Sequence, residues 1–347
     1  MKKYFLACYV FLPPLFYMVP FFFSNEKGDV VLHFFKTFIV SKFLFIKFSV
    51  LYFLLGFLIV GFVKKIGFTI ENRKKSRIEI DFLLSFCFVF YFFFPISYVA
   101  MVFYYLTYII MGSYKPGKFS LIILLLISIY ELLFNNSRFP LIYTGLIFNL
   151  DFIENINWRK LLISCVIAVF FLVYILQPLR SGFLPFSSQS RLSTFAYLYQ
   201  HVNPIYIGAY LSYELNFNLT ILLSEIIPFS KTLFNYESVI DRLADVGLPR
   251  NIIYIGIRHG SNSTMYFHLV GILVISACFV FIRKLLSVFN YEMLNNAVLL
   301  YFIIQGPFFV RRAIASYLLD IIMLFVIAIP LVFIKQYNYQ NKFKIHD

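Results

Sequence analysis

The 347 residues are 61% hydrophobic and only 13% charged, with a mean hydropathy of +0.83. An ordinary soluble domain carries about 25% charged residues, so this list cannot build a water-facing surface, and a soluble enzyme, a DNA-binding domain and a disordered tail are excluded. The formal charge of +14 therefore concerns sides of a membrane, because basic residues set the orientation of apolar helices.

A membrane-crossing helix needs about 20 mainly apolar residues. The first apolar run, 4–23, follows Lys2 and Lys3. It is too long and too aromatic for a signal peptide and no small-residue cleavage site follows, so it reads as a retained span. Residues 31–42 place His33, Lys36, Thr37 and Ser41 on one helical face, which predicts an interfacial helix leading into a span at 43–63. Lys64–Asp81 holds six basic and three acidic residues and reads as an inner loop.

The apolar stretch 82–112 is too long for one span and Pro95 lies midway, so it divides into two short ones. Further spans are predicted at 119–134 and 139–151, separated by Asn135-Asn136-Ser137-Arg138, and at 161–177 after Arg159 and Lys160. Residues 178–263 form the longest stretch without a clear span, with 204–227 read as an amphipathic or re-entrant element. The last spans fall at 265–282, 294–305 and 314–334. The predicted fold is an all-α polytopic integral membrane protein of about ten transmembrane helices. It forms a single membrane domain over 1–347, with both termini inside and the large 178–263 outer loop containing amphipathic helices. Cys8, Cys87, Cys165 and Cys278 lie in apolar runs without disulfide or metal spacing and read as small core residues. An AT-rich gene explains the 47 Phe and 26 Tyr as readily as a packing role does.

On this topology the inner segments hold 13 Lys and 4 Arg, and the outer segments 4 Lys and 8 Arg. Orientation needs positive charge of either kind. Arginine alone offers a planar fork of donors that matches phosphate oxygens two at a time, so the outer bias points to an anionic ligand at the outer face.

Arg138 sits in a four-residue break and is either an interfacial snorkelling residue or a ligand group. Glu131 lies two turns earlier on the same face. Arg180 follows Gln177-Pro178-Leu179 at a span exit. Arg311 and Arg312 open the last span after Gln305-Gly306-Pro307, and Arg312, Ser316 and Asp320 share one face at i, i+4, i+8. Asp320 then lies about 12 Å along the axis from Arg312. A carboxylate at that depth belongs either to a buried network joining helices or to a ligand site. Arg258-His259-Gly260-Ser261-Asn262-Ser263-Thr264 is a polar cluster before a span, either a helix cap or part of a site. P-loop, HExxH, CxxC, GxGxxG and Asp-x-Asp patterns are absent, which argues against a metal-dependent nucleotide-sugar transferase.

In order, Asn136-Ser137-Arg138, Leu179-Arg180-Ser181-Gly182, a long outer loop, Gly260-Ser261-Asn262-Ser263-Thr264 before Leu269-Val270-Gly271, and Arg311-Arg312 resemble the Wzy-type O-antigen and capsule oligosaccharide repeat-unit polymerases of bacterial inner membranes. The resemblance covers residues 118–334. It implies a multi-pass inner-membrane glycosyltransferase with a periplasmic 178–263 loop, acting on undecaprenyl-diphosphate-linked oligosaccharide. Its surroundings would be membrane lipid and a chain-length regulator and flippase of the same pathway, with no nucleic acid, metal or other cofactor. Arg138, Arg180, Arg258, Arg311 and Arg312 would bind the substrate diphosphate. His259, or after it Glu214, would serve as base, and Glu131, Ser316 and Asp320 would form a supporting polar network. An O-antigen ligase delivering to lipid A-core and a lipid-linked oligosaccharide flippase are the rival readings.

Overall fold

The computed structural model of the chain describes residues 1–12, 42–67, 73–94, 98–135, 137, 139–176, 269–289, 291–311 and 314–344. Nearly all of this backbone is helical. The predicted interfacial helix at 31–42 and the amphipathic element at 204–227 lie wholly or almost wholly outside the described residues. Helix α1 (Lys2–Phe5) runs into a π-helical turn, Leu6–Phe11, and α2 spans Lys42–Ile66. Then come α3 (Ile78–Phe93), α4 (Tyr98–Ser113), α5 (Lys118–Phe134), α6 (Phe139–Phe148) and α7 (Leu150–Glu154). Helix α8 (Trp158–Phe170) continues as a π-helical stretch, Phe171–Leu176. The last are α9 (Leu269–Phe289), α10 (Glu292–Gln305), a 3-10 turn (Gly306–Arg311) and α11 (Ile314–Lys344).

Helices α3 and α4 are separate elements, as predicted, and Pro95, expected to divide them, lies outside the described residues. The run expected to be continuous over 139–151 is not: it divides at Asn149, whose side-chain amide donates to Gly145 O at 2.7 Å. A short polar side chain that bonds its own backbone competes with the helix ladder. Among the described residues no helix is both long and apolar enough to cross a membrane. Helices α3 and α4 have 16 residues, α5 has 17 and α10 has 14. At 1.5 Å per residue they reach about 21–26 Å.

Two compact units are present. One comprises Met1–Phe62, Asn155–Phe279 and Gly306–Tyr317. In it the Tyr9 ring meets Phe309 (centroids 4.8 Å apart) and Tyr317 (6.5 Å), and Phe62 meets Phe279 (5.0 Å). Gly56 lets α2 approach the backbone at Tyr9 so closely that a methyl there would strike Tyr9 O.

The other unit comprises Val63–Glu154, Val280–Gln305 and Leu318–Asp347. Its central element is α10, buried continuously from Asn296 to Gln305. Helix α4 packs along it, with Gly112 against Met293 O and Ala297 N and the Asn296 side chain donating to Gly112 O at 3.0 Å. Helix α3 packs on α4 and α5, and α5 packs on α6. A two-residue parallel bridge joins β1 (Lys74–Lys75) to β2 (Tyr114–Lys115).

The outward faces are apolar. Phe82, Leu83, Phe86 and Phe93 on α3, and Ile122, Leu126, Ile129, Leu133 and Phe134 on α5, are all exposed. Of the four cysteines, Cys8 and Cys87 are buried, Cys278 is half-exposed and Cys165 is exposed. Cys165 is thus not a core residue. It shares an outer apolar surface of α8 with Leu162, Ile163, Val166 and Ile167.

Candidate functional site

The polar groups of the second unit gather on facing sides of four helices. Helix α4 carries Tyr104 and Tyr108 one turn apart, so both face the same way, and Tyr105 turns about 100° from Tyr104 toward another neighbour. Tyr301 and Gln305 are likewise one turn apart on α10. Asp320 lies on α11, six residues past its first residue, about 9 Å along the axis. It is 5% exposed and accepts from the Tyr105 hydroxyl and the Tyr301 hydroxyl, each at 2.6 Å. Bonds of an O–H to an ionised oxygen run at about 2.5–2.7 Å and are roughly twice as strong as neutral ones.

Around this carboxylate the hydroxyls extend. Gln305 Nε2 donates to Tyr104 Oη at 2.8 Å, and Tyr104 and Tyr108 share a hydrogen bond of 2.9 Å. The Thr107 hydroxyl donates to Tyr104 O at 2.6 Å and pairs with Tyr143 Oη at 3.3 Å. Tyr91 stacks on Tyr104 with centroids 4.5 Å apart. On the far side, Ser128 Oγ and Thr144 Oγ1 pair at 2.6 Å, joining α5 to α6. In an apolar surrounding each of these groups needs such a partner.

A second polar grouping lies where the chain passes between helices. Asp81 accepts from Gly117 N (2.8 Å), Phe119 N (3.1 Å) and Ser120 N (3.4 Å). Lys115 pairs with Asp151 at 3.8 Å. The Arg73 guanidinium is buried and donates to Met111 O at 3.3 Å. Burial pulls Arg73 below its ordinary value, while Asp151 and Glu154 push it back up. The predicted inner loop Lys64–Asp81 thus meets Tyr114–Gly117 and Asp151–Glu154.

Of the sequence-predicted site residues, Asp320 and Glu131 are described in full. Glu131 is buried on α5 and accepts from Asn135 Nδ2 at 2.8 Å, while its backbone carbonyl takes Asn135 N and Ser137 N. Ser316 and Arg311 lie within described backbone only. Arg138, Arg180, Glu214, Arg258, His259 and Arg312 lie outside the described residues. Sequence reasoning passed over Tyr104, Tyr105, Tyr108, Tyr301 and Gln305. The signal was present as a tyrosine pair with a third one turn on, inside an apolar run, but 26 tyrosines dilute it. Among the described residues no three of His, Cys, Asp and Glu converge as metal ligands.

No protein family, curated protein or solved structure matches the chain.

Proposed function

We propose that the chain is a multi-pass protein of the bacterial inner membrane that joins undecaprenyl-diphosphate-linked oligosaccharide repeats at the periplasmic face. The observation that carries this reading is the division of basic residues: 13 Lys and 4 Arg on the predicted inner side, 4 Lys and 8 Arg on the outer. The arginine side is where a lipid diphosphate lies. The apolar outward faces of α3, α5 and α8 support a hydrocarbon surrounding. Helices of 14–17 residues suit a locally thinned bilayer. The meeting of Lys74–Lys75 with Tyr114–Lys115, and of Lys115 with Asp151, supports these segments lying on one side. The burial of Asp320 among hydroxyl donors suits a carboxylate within lipid.

In the proposed reaction a sugar hydroxyl of the incoming repeat attacks the anomeric carbon of the growing chain. A new C–O bond forms, the bond to the diphosphate oxygen breaks, and the hydroxyl proton passes to a base, His259 or Glu214. The transition state is oxocarbenium-like. Negative charge builds on the departing diphosphate, and Arg138, Arg180, Arg258, Arg311 and Arg312 are the residues that would stabilise it. Removing one such donor typically costs about 100- to 1,000-fold in rate.

Deletion of the gene followed by complementation tests the reading. The deletion strain should attach a single repeat to lipid A-core, and the native gene should restore long chains. Arg138→Ala, Arg180→Ala and Arg312→Ala should each fail to restore them at unchanged protein level. A deletion strain with no attached repeat would instead identify a ligase. Full-length chains in all three variants would reduce the outer arginines to interfacial anchors.

A further inference from the structure

Basic side chains and bare hydrocarbon meet at one end of α3 and α5. The two helices start side by side. Asp81, in the first turn of α3, takes Gly117 N and Phe119 N at the start of α5, and the Phe82 and Phe119 rings lie 4.6 Å apart. The segments that precede the two helices join in the parallel bridge, where Lys75 stands directly opposite Lys115. All of these residues belong to the second unit.

The rim of this end is cationic. Arg73–Asp81 and Tyr114–Lys118 together hold six basic residues and two acidic ones. Asp81 is buried and committed to the α5 amides, Glu79 is exposed, and Lys115 pairs with Asp151. Lys74, Lys75, Arg77 and Lys118 are exposed, and none of them has an ion-pair partner among the described residues. Like charges directly opposite across a strand pair repel, so Lys75 facing Lys115 favours an anion.

Directly beyond the rim the surface turns apolar. On α3, Ile78, Phe82 and Phe86 recur every four residues and are all exposed. On α5, Phe119 and Ile122 are exposed, and Ile122 lies one turn past Lys118 on the same face. A small soluble anion would use the rim and leave the apolar stripe bare. An anionic phospholipid uses both, with its phosphate among the cations and its hydrocarbon on the rings. Clusters of Lys and Arg at the end of an apolar helix are the usual signature of such headgroups. The first α5 amides are already held by Asp81, so side chains and not the helix end would meet the phosphate.

We propose that the α3–α5 end of the second unit binds an anionic phospholipid, its phosphate held by Lys75, Arg77 and Lys118 and an acyl chain laid along Phe82, Phe119 and Ile122. The site lies on the predicted inner side, away from the arginines assigned to the substrate diphosphate. It rests on the bilayer placement in the proposed function and is independent of glycosyl transfer.

The full chain, purified in detergent and stripped of lipid, is titrated with dioleoyl-phosphatidylglycerol and with dioleoyl-phosphatidylcholine, which share their acyl chains. Binding is read by native mass spectrometry and by thermal midpoint. The phosphatidylglycerol should bind about tenfold tighter or more, and high salt should erode that preference. Lys75→Gln/Lys118→Gln should lose most of the preference. Arg283→Gln/Lys284→Gln, which removes the same charge from other exposed positions of the predicted inner side, should keep it. Ile122→Ser should weaken both lipids alike, and inorganic phosphate should leave the midpoint unchanged.

Equal binding of the two lipids by the native protein would overturn the site. So would an equal loss in both double variants, since that is diffuse attraction, or unchanged binding in Ile122→Ser. Inorganic phosphate that raises the midpoint as far as phosphatidylglycerol does would overturn the lipid in favour of a small anion. Should Lys75→Gln/Lys118→Gln fail to accumulate, Lys74→Gln/Arg77→Gln is scored in the same way. A chain that stays dissolved without detergent or lipid would overturn the bilayer placement itself, and the site with it.

Discussion

Asp81 caps a helix that is not its own. It lies in the first turn of α3, yet its carboxylate takes three backbone amides at the start of α5, where the first N–H groups have no partner within the helix. The negative charge also meets the positive end of the α5 dipole. Ser85 anchors the same turn by donating to Asp81 O at 2.8 Å. Asp81→Ala should destabilise the protein by about 2 kcal/mol, read as a lowered thermal midpoint in detergent, and Asp81→Asn should cost less than half of that. Gly117 makes the cap possible: its N–H is the closest donor, and a methyl on it would strike the Asp81 carboxylate. Gly117→Val should therefore reproduce the Asp81→Ala loss. Asp320 was legible in the sequence as an ionisable residue at depth. Asp81 was legible only as one charge among nine in an inner loop, because capping across helices has no fixed spacing.

Among the elements, α10 is buried continuously from Asn296 to Gln305 and α4 is its nearest support. The pair approaches closely because Gly112 has no side chain where α4 meets the backbone at Met293 and Ala297. Gly112→Ala should force the helices apart at a cost of about 1–3 kcal/mol, measurable as a shift in thermal midpoint, and should spare the α5–α6 contact. That contact has its own tie, Ser128 to Thr144. Thr144→Val should cost only about 1 kcal/mol, the typical net worth of one hydrogen bond. The boundaries of α3, α4 and α5 were readable because Pro95, the basic loops and the apolar runs are local signals. The division at Asn149 was not read, because Asn in an apolar run gives no sign of which backbone carbonyl it will take.

For the whole molecule, the contrast is between apolar outward faces and polar groups gathered inside or at loop junctions. If the helices lie in a bilayer with the basic loops inside, labelling of intact cells gives a sharp result. With the four native cysteines replaced, Lys74→Cys and Lys118→Cys should be closed to a membrane-impermeant maleimide until the inner membrane is opened. Asn135→Cys should react from the outside in permeabilised outer-membrane strains. Reaction of Lys74→Cys and Lys118→Cys from outside, with Asn135→Cys closed, would reverse the assigned sides and leave the arginines facing the cytoplasm.

For the described residues, the amino-acid sequence alone determined that they are helical, where most of the helices begin and end, and that the outward faces are apolar. These follow from composition and from signals only a few residues long. Only the tertiary structure decided which tyrosines meet Asp320, which amides Asp81 caps and how tightly α4 lies on α10. Those contacts join residues 215, 36 and 184 positions apart. A hydroxyl or a carboxylate on an apolar helix must find a partner once water is gone, but its own position in the chain does not say which one. The charge of each segment could be read directly; the joining of Tyr105 and Tyr301 on Asp320 could not.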